Sequence, residues 1–227
     1  QDNPMFVKDL PLQKLIQIIE SPVGTKIDED FYHFIKTKSL IVEGQTAYNQ
    51  GHYEQAHRLF QEALQRPDGK IIEVYGGLYT ANYKLNNIKV AENYFSKMVT
   101  VGVENGSLPI KFLFEPNLTD FLNNHELREQ YFLWLKQIGL YFQTHPDKCV
   151  EIIGHTSKYG LHKMNKNLSE RRAQTIQAQM QQTFPGIVKR STVIGKGHEE
   201  TIVGTAPDSA ENAIDRRVEF KIIDCSK

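Results

Sequence analysis

The feature that most restricts this chain is an internal repetition. The run Ala47-Tyr48-Asn49-Gln50-Gly51-His52-Tyr53-Glu54-Gln55-Ala56-His57-Arg58-Leu59-Phe60 is echoed by Asn82-Tyr83-Lys84-Leu85 and Ala91-Glu92-Asn93-Tyr94-Phe95. Tyr48 to Tyr83, Ala56 to Ala91 and Phe60 to Phe95 share one shift of 35 residues. A fixed period of this size means that one supersecondary unit is stacked on a copy of itself.

The first copy carries Gly44, Gly51 at a turn, Ala56, Phe60 and Ala63, with Pro67 just after its second helix. It resembles the tetratricopeptide repeat, in which small residues let two antiparallel helices approach and a Phe plugs the seam. The second copy is weaker: Asn82 stands in place of Ala47, Asn86 in place of Gly51 and Met98 in place of Ala63. An ordinary pair of helical hairpins is the plainer reading of the same residues. A helix pair cannot bury its own apolar face, so about three units are usually needed. Leu12, Leu15, Ile16 and Ile19 after Pro11, and Phe31, Phe34 and Ile35, have the spacing of flanking helices that could supply the cover. Residues 8–101 are therefore expected to form an all-α array with at most two full repeats. Gly102 to Pro109 reads as the linker.

Beyond the linker the period changes. Ile110, Phe112 and Phe114 alternate with Lys111, Leu113 and Glu115 as in a strand. Tyr131, Leu135, Ile138 and Phe142 lie on one helical face that ends near Pro146. Val150–Ile153 is a strand, Asn165–Phe184 a helix stopped by Pro185-Gly186, Thr192–Ile194 a strand, and Arg217–Ile223 another. The order βαβαββ predicts an α/β sandwich. The fold class is thus a two-domain α+β chain, with an all-α domain over 1–104 and a sandwich domain over 105–227.

Four motifs fall within the second domain: Gly154-His155-Thr156 leading to Gly160, Asn165 followed by Leu168-Ser169 and Arg172-Ala173, Gly195-Lys196-Gly197, and Asp215-Arg216-Arg217-Val218-Glu219. In this order they resemble the OmpA-like C-terminal domain, the peptidoglycan-binding module of outer-membrane and flagellar stator proteins. The resemblance implies a ligand, the peptidoglycan stem peptide with its diaminopimelate, that presents an ammonium beside a carboxylate. Arg grips a carboxylate through two parallel hydrogen bonds, so a guanidinium and an anion make the natural pocket. Carried onto this sequence, the guanidinium is Arg172, read as lying near the start of its helix, where free N–H groups also favour an anion. Asn165 would bond the ligand or lock the loop. Phe114 and Glu115 match an aromatic–acid pair in which Glu115 could approach the ammonium. Arg216 or Arg217 completes the positive side, and Thr156, Ser157, Tyr159 and Gly160 supply the loop.

One position departs from the family pattern: Ser157 stands where Asp is usual. Losing one charge-assisted contact costs on the order of 1.5–3 kcal/mol, roughly ten- to a hundredfold in affinity. Two readings follow. In the first, the chain is a periplasmic, outer-membrane-associated tether that binds peptidoglycan and holds a protein partner on its helical repeats. In the second, it is an envelope scaffold whose site has lost the ligand.

Other classes find little support. The chain has 27 Lys+Arg against 27 Asp+Glu, so it lacks the positive excess of a nucleic-acid surface. No apolar run approaches the ~20 residues of a membrane span. No nucleophile has a visible base, so an enzyme such as an envelope hydrolase is not expected. No cofactor or metal is expected either: His155 reads as a structural loop residue without an acidic partner at ligand spacing, and His52 and His57 lie too far round a helix to share an ion. Gln1 in place of Met reads as a mature or trimmed chain. Cys149 opens one predicted strand and Cys225 follows another; if these strands are antiparallel neighbours, the two thiols are a candidate disulfide, and otherwise they are unrelated.

Overall fold

A computed structural model describes residues 29–106, 108–205 and 210–225. The helix expected over Leu12–Ile19 lies outside the described residues. The chain divides into two compact units between Val101 and Gly102.

The first unit contains helices α1 (Glu29–Asn49), α2 (Tyr53–Leu64), α3 (Ile72–Lys84) and all but the last turn of α4 (Ile88–Glu104). The turn between α1 and α2 is repeated between α3 and α4 at the same 35-residue shift. Gly51 N donates to Tyr48 O and His52 N to Ala47 O; Asn86 N donates to Tyr83 O and Asn87 N to Asn82 O. This pair of bonds closes a helix end when the residue after the cap adopts the left-handed conformation. Gly51 (φ 81°) and Asn86 (φ 60°) both do, and Asn is the usual substitute for Gly there. Phe60 is fully enclosed, and a Cβ built on Gly77 would stand 2.4 Å from its ring. Its counterpart Phe95 is equally buried, with its ring centroid 5.2 Å from that of Tyr79. Asn82, the polar replacement of Ala47, is buried but donates to Leu78 O and reaches His57 Nδ1. Of the expected flanking residues Phe31, Phe34 and Ile35, all lie in α1, yet Ile35 is buried while the two aromatic rings are exposed.

The second unit runs β1 (Leu108–Leu113), α5 (His125–Thr144), β2 (Lys148–Gly154), α6 (His162–Thr183), a 3-10 turn (Pro185–Arg190), β3 (Ser191–Gly195), a second 3-10 turn (Ala210–Asp215) and β4 (Arg217–Asp224). The linker is shorter than Gly102–Pro109. Helix α4 reaches Glu104, and Pro109 lies inside β1, which it can do because β1 is an edge strand with no ladder to complete on its outer side.

The sheet order is β1-β4-β2-β3, with β2 and β3 parallel and the other pairs antiparallel. Ile110, Phe112, Val150, Ile152, Val218 and Phe220 are buried from the strands. Tyr131, Leu135, Ile138 and Phe142 of α5, with Ala173, Ile176 and Met180 of α6, are buried from the helices. Period-2 and period-3.6 stripes thus meet in one core. Tyr131 bridges them: its ring packs on Phe112, and its hydroxyl accepts from Leu113 N at 2.9 Å. Burial pushes that phenol well above its ordinary pKa.

Cys149 of β2 and Cys225, just past β4, are bonded as a disulfide with Cα atoms 4.9 Å apart. The antiparallel register Cys149↔Ile223 brings the start of one strand beside the end of the other.

Candidate functional site

Glycine at two paired positions seats α6 on the sheet. Gly154 of β2 and Gly195 of β3 are register partners. A Cβ on Gly154 would fall 1.9 Å from Ser169 O, and one on Gly195 would fall 2.6 Å from Lys166 O. The loop leaving β2 is then fixed by its backbone: His155 N donates to Arg217 O and Thr156 N to Gly197 O, each at 2.8 Å. Ser169 Oγ accepts from Gly197 N at 2.8 Å. Residues of the four sequence motifs are thereby hydrogen-bonded to one another.

Asn165 is buried in the first turn of α6. Its side-chain amide donates to Tyr159 O at 2.9 Å and lies 2.8 Å from His198 Nδ1. These contacts tie the first turn of α6 to the loop at Tyr159 and to His198. Thr156 and Ser157 are buried on the loop, whereas Tyr159 is exposed. Gly160 takes a left-handed φ of 99°.

Arg172 departs from its expected setting in two ways. Helix α6 begins at His162, so Arg172 lies in its interior rather than near its free N–H groups. Leu161 at the N-cap makes no side-chain cap bond, so no capping residue marks the true start in the sequence. The guanidinium is also completely enclosed. It donates from Nε to Leu118 O (2.9 Å), from Nη1 to His155 O (3.1 Å) and from Nη2 to Glu115 O (2.8 Å), and it lies 5.4 Å from the Phe114 ring centroid. A planar five-donor group can bind several carbonyls at once.

Arg216 and Arg217 are also buried. Arg216 Nε donates to Phe114 O at 3.1 Å, so Arg172 and Arg216 serve adjacent carbonyls at the end of β1. Arg217 binds Glu219 through Nε at 3.0 Å and Glu200 O through Nη1 at 3.2 Å. Glu115 turns its carboxylate to its own loop, where Oε1 accepts from Asn123 N at 2.6 Å.

Two acidic residues do more than the sequence reveals. Asp215 is fully buried and accepts from the backbone N–H groups of Ile202, Val203 and Gly204. Burial alone would raise its pKa, but those bonds hold it below the ordinary carboxylate value. Glu219 is held far below that value by His155 first and by Arg217, against the opposing effect of burial.

His155 has acidic partners after all, brought from distant segments. One ligand-type atom each from His155, Glu200 and Glu219 lies within 4.8 Å of the others. His155 Nε2 stands 3.3 Å from Glu219 Oε1, off the line of a hydrogen bond. These are the donors of a small cation site, but Arg217 at 3.0 Å and Lys111 at 3.6 Å from Glu219, with Lys196 at 3.0 Å from Glu200, already supply positive charge there.

Comparison with known proteins bears on this unit. Residues 122–215 match the OmpA family. Among solved structures, the peptidoglycan-associated lipoprotein from Burkholderia pseudomallei is similar at 19% identity, covering 50% of this chain and 89% of that one, with a TM-score of 0.42. The C-terminal domain of Helicobacter pylori MotB is 21% identical, covering 52% and 86%, with a TM-score of 0.40. A putative MotB-like protein from Desulfovibrio vulgaris is 20% identical, covering 67% and 99%, with a TM-score of 0.37. No curated protein matches. Among the described residues no helix is long and apolar enough to cross a membrane.

Proposed function

We propose that the chain is a non-catalytic protein of the periplasmic cell envelope. Its second unit binds the stem peptide of peptidoglycan, and its helical unit holds a protein partner on a tetratricopeptide-like surface. The observation that carries this reading is the match of residues 122–215 to the OmpA family, with the four motifs hydrogen-bonded around one loop. The disulfide agrees with an oxidising compartment.

In this reading a ligand carboxylate reaches Arg172 by taking the place of Leu118 O. That carbonyl belongs to an exposed loop residue and is the most readily exchanged of the three. Arg216 and Arg217 brace the strand ends on either side. The enclosure of Arg172 and the neutral Ser157 favour the second reading, an envelope scaffold that keeps the fold without the ligand.

Co-sedimentation with purified sacculi separates the two. A tether pellets with sacculi and is released by excess stem tripeptide. A chain that stays in the supernatant is the scaffold.

A further inference from the structure

Thr156 and Ser157 are buried and neutral, and Thr156 Oγ1 has no hydrogen-bond partner although it is enclosed. An unsatisfied buried hydroxyl costs roughly 1–3 kcal/mol, so a ligand group that pairs with it gains at that position. Three carboxylates on the segments hydrogen-bonded around this loop already hold partners, while Asp120 is exposed on the loop that also carries Glu115. Glu115 accepts from Asn123 N, Asp215 from three backbone N–H groups of the 202–204 turn, and Glu219 from Arg217. An ammonium drawn in beside Ser157 would meet a buried neutral hydroxyl at the position where Asp would supply a charge, which is the costly case for a buried cation. An amide N–H needs only one acceptor, and a hydroxyl provides it.

We propose that this site selects stem peptides whose diaminopimelate amine is acylated, as it is where two stems are cross-linked, over stems with the amine free. The inference rests on the stem-peptide reading above. Acylation keeps the neighbouring carboxylate, so the demand on Arg172 is unchanged. Ser157 Oγ accepts from the amide N–H, and Thr156 Oγ1 donates to the acyl carbonyl. A tether built this way follows the cross-linked wall rather than free stems.

Calorimetric titration of the full chain tests it, using two synthetic L-Ala–γ-D-Glu–meso-diaminopimelate tripeptides, one with the distal amine free and one with it acetylated. The acetylated peptide is expected to bind about tenfold tighter or more, the size of one charge-assisted contact. Equal affinity overturns the inference and leaves the stem-peptide reading standing. So does a preference for the free amine, which Glu115 or the exposed Asp120 of the same loop would produce. Binding of neither peptide overturns both. Ser157→Asp is expected to invert the preference and Ser157→Ala to erase it, with circular dichroism confirming the fold; the wild-type comparison decides even where a variant does not fold.

Discussion

Arg172 Nε donates to the carbonyl of Leu118 at 2.9 Å, across 54 residues of sequence. With its bonds to His155 O and Glu115 O, this makes the guanidinium a buried clamp between α6, the loop after β2 and the loop after β1. The residue that would recognise an anion is thus also structural, and any binding assay on an Arg172 variant has to be read beside a stability measurement.

Arg172→Ala removes the donor from three carbonyls, His155 O buried and Leu118 O and Glu115 O part-buried, and opens a cavity. At roughly 1–3 kcal/mol for each unsatisfied group, the second unit is expected to lose about 3 kcal/mol or more. Denaturant unfolding followed by Trp134 fluorescence reads this unit. A loss below about 1 kcal/mol would contradict the clamp.

Cys149→Ser with Cys225→Ser removes a cross-link that spans 76 residues. In the loop-entropy account the second unit loses roughly 4 kcal/mol. Two titratable thiols in the oxidised, denatured wild type would contradict the bridge itself.

Asp215 is more acidic folded than unfolded. Its contribution to stability is therefore complete above the unfolded carboxylate value of about 3.9 and is lost as pH falls through the lower folded value. Protection factors at Ile202, Val203 and Gly204, corrected for the intrinsic pH dependence of exchange, should hold below the ordinary carboxylate value and fall as pH passes the lower folded value. Asp215→Asn, which keeps one acceptor oxygen, should speed exchange at Gly204 already at neutral pH. Unchanged protection in that variant would show that the turn does not depend on this carboxylate.

In the first unit, Gly77→Ala drives a methyl to 2.4 Å from the Phe60 ring. Gly44 packs against the tip of the same ring, where a Cβ would stand 3.0 Å from Cζ. Overpacking of this kind costs about 1–3 kcal/mol, and Phe60→Leu in the same chain should recover part of it. Equal melting temperatures for wild type and Gly77→Ala would exclude the tight seam.

Much of this architecture was legible because it depends on local periodicity. The alternation of Ile110 and Phe112 and the helical stripe from Tyr131 to Phe142 placed a strand and a helix where the structure has them. The shift of 35 residues set Asn86 opposite Gly51, and in the structure both take the left-handed conformation. What was not legible is tertiary. No property of Arg172 announces that its partners are carbonyls far along the chain, and nothing near His155 in sequence points to Glu200 or Glu219. The early start of α6 was hidden for a local reason, the absence of a capping side chain at Leu161.

The most direct test of the account is an NMR titration of the 15N-labelled full chain with the stem tripeptide in both amine forms. The account predicts that amide shifts concentrate at Leu118, Thr156 and Ser157, and that they saturate at lower concentration for the acetylated form. Shifts confined to other residues, or none from either peptide, would contradict a stem-peptide site at this loop.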